Sequence, residues 1–168
     1  YAYDSAQASF ELLARRELGL APEFFDVERY RVISERRRNA RGEIVVESEA
    51  VVTVSTRDGT RTSYFKNEHA QDIDDDGPVN ALWQALKSDL GPYQGQIEHV
   101  HRNDFKVRIT QGGTEAVTRV IIDFADETGR AWATVGVSSN IVDAAFQALH
   151  DEIVWKLVQE NRPAEAAE

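Results

Sequence analysis

The chain has 168 residues, 42% hydrophobic and 29% charged, with a formal net charge of -10 at pH 7. That is ordinary for a soluble globular protein of one domain or two small fused units, and too acidic for a nucleic-acid groove, which needs concentrated Lys and Arg. The absence of cysteine excludes disulfides and thiolate metal sites and points to a reducing compartment, the cytoplasm, while no run approaches the about 18 apolar residues of a membrane span.

From Ser5 to Leu18, Ala6, Phe10 and Leu13 stand at helical spacing, with Ser5 placed as N-cap, Gly19 as the stop and Pro22 just beyond, which predicts one amphipathic helix. Val27 to Arg36, Ile44 to Thr56 and Thr60 to Lys66 are rich in β-branched and aromatic residues. Asn39 to Gly42 and Arg57-Asp58-Gly59 carry hairpin chemistry between them, predicting three antiparallel strands. The basic residues Arg36, Arg37, Arg38 and Arg41 border the first turn and read as a solvated hairpin. Gly77 and Pro78 then open a helix with Val79, Leu82, Trp83, Leu86 and Leu90 on one face. The order starts again: strands His99 to Gln111, Thr114 to Ala125 and Arg130 to Val137, then a helix from Asn140 to about Gln159 burying Val142, Ala145, Phe146, Leu149, Ile153 and Leu157.

The two halves share words as well as order. Glu49-Ala50-Val51 recurs as Glu115-Ala116-Val117, and the helix segment from Ala81 to Leu86 recurs from Ala144 to Leu149. The fold class is therefore α+β: an N-terminal helix, residues 1–20, then two pseudo-repeated βββα units, 24–92 and 96–160, with antiparallel sheets packed on helices, and a disordered Ala/Glu-rich tail, 161–168. One such unit buries little, so pairing of units and of chains into a homodimer is expected.

Few residues suggest catalysis. Asp72-Ile-Asp-Asp-Asp76-Gly77 opens like a calcium loop, but the twelfth position, which should be a bidentate Glu, is Trp83. His99 and His101 share a strand face without a third ligand at useful spacing, and no nucleophile elbow or phosphate loop is present, so neither a metal nor a catalytic centre is expected in this chain. The two helix starts, Asp76 to Asn80 and Ser138 to Ile141, are different: unpaired backbone N–H groups with a partial positive charge attract a carboxylate, and Gly77 removes a side chain where a ligand would approach. Capping by Asp76 and Ser139 is the purely structural account of the same residues.

Asp76-Gly-Pro-Val-Asn-Ala-Leu82, Asn103-Asp-Phe-Lys-Val-Arg-Ile109, Gly113-Thr-Glu-Ala-Val-Thr-Arg119 and Trp132-Ala-Thr-Val-Gly-Val-Ser-Ser-Asn-Ile141 together resemble the C-terminal regulatory domain of the isopropylmalate and citramalate synthases. Ala8-Ser-Phe-Glu-Leu-Leu13 with Arg16 resembles the helix linking that domain to the family's catalytic barrel, and Trp155-Lys-Leu157 is more like the citramalate branch. With no methionine and Tyr1 at its head, the chain also reads as a piece of a larger protein.

The resemblance implies a parent acyltransferase that condenses acetyl-CoA with pyruvate on a barrel carrying a divalent metal, in isoleucine biosynthesis. This domain would then hold no cofactor, form a homodimer and sense isoleucine for feedback inhibition. Carried over by position, the effector site comprises Gly77, Pro78, Val79 and Asn80, the strand residues Phe105 and Ile109, and Ser139, Asn140 and Ile141. Val79, Phe105, Ile109 and Ile141 would enclose an aliphatic side chain, and Asn80 would meet the ammonium. The acidic Asp74-Asp75-Asp76 departs from the Gly-rich loop of many relatives. The alternatives are a leucine-sensing domain of an isopropylmalate synthase, a dimerisation module without ligand, and an enzyme using His99 and His101.

Overall fold

The computed structural model describes residues 6–20, 22–70, 77–97, 104–112, 117–125 and 129–161. Two compact units divide the chain: Phe25–Pro92 forms one, and Tyr93 onward forms the other together with the helix that precedes Phe25.

In the first unit, β1 (Asp26–Arg38), β2 (Ile44–Thr56) and β3 (Gly59–Ala70) form an antiparallel meander in the order β1-β2-β3. At the first turn the Asn39 carboxamide oxygen accepts from the N–H groups of Arg41 and Glu43 at 2.9 and 3.0 Å, closing the hairpin locally. The register places Val32, Ala50 and Phe65 in one row and Tyr30, Val52 and Ser63 in the next. On the opposite face Lys66 pairs with Glu47 at 2.8 Å, and Arg37 contacts both Glu47 and Glu68. The Lys66 ammonium holds the half-buried Glu47 carboxyl below its usual range.

The helix α2 (Gly77–Leu86) lies chiefly over the central strand β2. Leu82, Trp83 and Leu86 are fully buried, with Leu90 just past the helix end, as the apolar stripe required; Val79 is only half-buried. A 3-10 turn, Gly91–Tyr93, follows α2 and leads straight into the short α3 (Gln94–Ile97), two elements that the sequence periodicity did not predict.

In the second unit β4 (Asp104–Gly112), β5 (Val117–Ala125) and β6 (Ala131–Ser138) repeat the meander. The 20-residue α4 (Ile141–Glu160) lies over β6 and β5. Ala145, Leu149, Ile153 and Leu157 are buried as expected, whereas Val142 and Phe146 are half-buried. Gly136 permits the close approach of the helix: a Cβ there would lie 1.7 Å from the Ala144 carbonyl oxygen.

The first helix, α1 (Gln7–Glu17), packs on β6 and α4, and here the structure corrects the sequence reading twice. Ala8, Ser9 and Leu12 face inward, while Phe10 and Leu13, expected on the apolar face, are 54% and 37% exposed. The reason is the free edge of β6: the Ser9 hydroxyl accepts from the Val135 N–H at 2.9 Å and donates to Asp151 at 2.8 Å, which turns Ser9 inward. The N-cap is Ala6, without a side-chain hydrogen bond, rather than Ser5, which lies outside the described residues. Gly19, at φ 68°, ends the helix as expected, its N–H donating to the Arg16 carbonyl at 3.0 Å.

Candidate functional site

The α4 start is closed by its own sequence. Asn140, not the expected Ser139, is the N-cap, and its side-chain oxygen accepts from the N–H groups of Val142 and Asp143 at 2.9 and 3.2 Å. Ser138 in turn accepts from the Asn140 N–H at 3.1 Å. Two donors that a carboxylate ligand would use are thereby engaged. Ser139 is exposed, and Ile141, at the first helical position, is 47% exposed.

The α2 start is built differently. Counting back from the shared helix segment, Gly77 stands where Asn140 stands in the second copy, so no side chain is available there to take the helix N–H groups. Gly77 is buried at φ 38°, in the left-handed region that disfavours every residue with a Cβ. A Cβ on it would meet the Ser48 hydroxyl at 3.6 Å. Ser48 is fully buried on β2, and its hydroxyl has no hydrogen-bond partner among the described residues. The row across the sheet at that level is polar, Ser34–Ser48–Asn67, while the next row, Val32–Ala50–Phe65, is apolar. Pro78, Val79 and Asn80 are half-buried, and the Asn80 side-chain oxygen accepts from Gln84 at 3.3 Å. Asp72 to Asp76, the cap expected at Asp76 included, lie outside the described residues.

Sequence reasoning missed Ser48, whose signal in the chain is faint. In Val46-Glu-Ser-Glu-Ala50-Val-Val52 the inward positions alternate, and Ser48 is the polar member of an otherwise apolar inward series. A hydroxyl at such a position needs a partner or costs free energy on burial.

The nine nominated residues divide between the units: Gly77, Pro78, Val79 and Asn80 belong to the first, and Phe105, Ile109, Ser139, Asn140 and Ile141 to the second. Within the second, Ile109, Val120 and Gly136 form one cross-strand row, and Gly136 lies against Ala144 in the first turn of α4, the turn that Ile141 begins. Ile109 thus stands level with the α4 start and is 51% exposed, an apolar surface on the strand that α4 leaves uncovered. Phe105 also belongs to β4, where its backbone pairs with Phe124 of β5. Among the described residues no three His, Asp or Glu side chains cluster as metal ligands; His99 and His101 lie outside them. No described helix is long and apolar enough to cross a membrane.

Over this frame the chain is similar to the (R)-citramalate synthase of Geobacter sulfurreducens, 40% identical over 159 residues, which are 94% of this chain and 28% of that protein. The (R)-citramalate synthase of Aquifex aeolicus is 37% identical over 163 residues, 96% of this chain and 29% of that protein. For that of Streptomyces coelicolor the figures are 37% over 170 residues, 98% and 29%. The chain spans less than a third of the length of these relatives. The LeuA allosteric (dimerisation) domain matches residues 4–155, and the chain belongs to that family, as the dimerisation and allosteric domain found in citramalate synthases.

Proposed function

We propose that this domain binds isoleucine and passes feedback inhibition to a parent citramalate synthase, which condenses acetyl-CoA with pyruvate on a separate, metal-bearing barrel. The domain works as a homodimer in the cytoplasm, holds no cofactor and does no chemistry of its own. The observation that carries the reading is the α2 start: a buried glycine replaces the capping amide of the sister helix, close to the Ser48 hydroxyl, which has no hydrogen-bond partner among the described residues. Helix N–H groups and a hydroxyl suit a carboxylate. The family resemblance, rather than the packing of the two units, assigns the branched side chain of the ligand to Ile109 and Ile141, which are 51% and 47% exposed.

Calorimetry and thermal melts with isoleucine, leucine and valine test this. Isoleucine at about 100 times its dissociation constant stabilises the fold by roughly 2.7 kcal/mol. Leucine misplaces one methyl, worth about 1 to 3 kcal/mol in an apolar pocket, so isoleucine binds ten-fold or more tightly. Ser48→Ala and Asn80→Ala weaken all three ligands alike, while Ile109→Ala erodes the preference. Absence of heat and of any melting shift at millimolar ligand leaves a dimerisation module, and a leucine preference moves the assignment to leucine sensing. Light scattering should give about twice 18.9 kDa.

A further inference from the structure

The second unit buries an acid that effector binding does not use. Glu152 lies on α4 with none of its surface exposed, at a core-facing position one turn beyond Leu149. One carboxyl oxygen accepts from the Trp132 indole N–H, and the other is buried with no hydrogen-bond partner among the described residues. Around it stands a stack of aromatic and cationic groups. Trp132 stacks on Trp155 at 5.1 Å and on Phe124 at 6.3 Å, and the Lys156 ammonium sits 3.8 Å from the Trp132 ring centre. The Trp155 indole N–H and the Thr134 hydroxyl, on α4 and on the facing strand, are also buried without partners among the described residues.

We propose that Glu152 is held as an uncharged carboxylic acid in the folded domain, and that its ionisation loosens α4 from the β4–β6 sheet, making the second unit pH-responsive. A buried carboxylate with one oxygen lacking a hydrogen bond is among the costliest groups to enclose, and taking up a proton removes most of that cost. Burial pushes the Glu152 carboxyl up to about 8, against the lowering pull of the Trp132 hydrogen bond and the Lys156 charge.

Among the described residues few charged groups surround it. On α4 itself Lys156 acts on Glu152, and Asp151 is held by Arg16 of α1 at 2.8 Å. Arg15 of α1 pairs with Glu11. At the start of β6 Arg130 lies over the Trp155 ring at 5.6 Å, and α3, Gln94-Gly-Gln-Ile97, carries no ionisable side chain. Arg119 and Asp123 of β5 point to the opposite face of the sheet, alternating with the inward Val120, Ile122 and Phe124.

The direction in pH follows from the folded value lying above the ordinary 4.5. Between the two values the unfolded chain binds fewer protons than the folded one, so stability falls as pH rises. The contribution is complete below about 4.5 and gone once pH has passed about 8.

Thermal melts of the 168-residue chain and of Glu152→Gln from pH 5 to pH 9 test the proposal, glutamine keeping an oxygen for the Trp132 indole. The melting temperature of the unmodified chain should fall relative to the variant by about 10 °C across the range. Infrared spectroscopy of the unmodified chain gives an independent reading: at pH 6.5 exposed acids are ionised, so a protonated-carboxyl band belongs to Glu152 and should vanish by pH 9. Parallel melting curves, or no such band at pH 6.5, would overturn the proposal; should the variant not fold, the infrared titration decides alone.

Discussion

Gln84 and Gln147 occupy the same place in the two copies of the helix segment, and each reaches back four residues, Gln84 to Asn80 at 3.3 Å and Gln147 to Asp143 at 3.0 Å. Yet Gln147 has a second duty, since its side-chain oxygen accepts from the Val137 N–H at 3.1 Å. The difference comes from where each helix lies. Beneath α2 runs the central strand β2, whose polar backbone is engaged on both sides, whereas α4 lies over the edge strand β6 and must help to close it. Ser9 of α1 closes the same edge at Val135. Repetition in sequence thus preserved the helix and its internal hydrogen bond while the position of the helix on the sheet assigned new work to the same residue type.

The sharpest way to break this comparison is through the two glycines. Gly136→Ala drives a methyl into the Ala144 carbonyl, backbone that cannot turn aside, and should cost about 3 kcal/mol or more by urea denaturation. Gly77→Ala meets the Ser48 hydroxyl only at ordinary contact distance, and its cost, about 1 to 2 kcal/mol, comes from the left-handed backbone. Equal costs would show that α2 and α4 approach their sheets alike.

Next in size, Ser9→Ala leaves the Val135 N–H without its acceptor and Asp151 with one donor fewer, a loss of about 2 kcal/mol, which Ser9→Thr should partly restore. Hydrogen exchange should quicken first along β6. Protection lost evenly over both sheets would remove the edge-closing role.

Smallest is Asn140→Ala, which removes the α4 cap at about 1 kcal/mol. Its sharper readout is ligand stoichiometry. With the Val142 and Asp143 N–H groups released, a second carboxylate site becomes available at α4. An unchanged stoichiometry would show that the cap is not what distinguishes the two helix starts.

Much of the architecture was legible in the chain itself. Gly42 and Gly59 mark both hairpins of the first unit, and the Leu82, Trp83, Leu86 and Leu90 stripe named the buried face of α2. These are local matters, in which a glycine's backbone freedom or a 3.6-residue period acts within a few residues and needs no knowledge of the rest. The family words at the two helix starts and on β4 nominated nine effector-site residues, and those too are local motifs.

Tertiary structure decided what depends on neighbours distant in the chain. The inward face of α1 was set by the unpaired edge of β6, 126 residues from Ser9, so hydrophobicity alone chose Phe10 and Leu13 wrongly. Ser48 became notable only when Gly77 was laid over it, because a serine in a strand is unremarkable until its hydroxyl is enclosed. Glu152 follows Leu149 at core spacing, but a charge there ordinarily reads as a solvated face. Its burial depends on Trp132 arriving from β6 to offer one hydrogen bond and to exclude water from the rest. Periodicity determines which residues share a face; only packing determines which face meets solvent, and therefore which polar groups bear the cost of being enclosed.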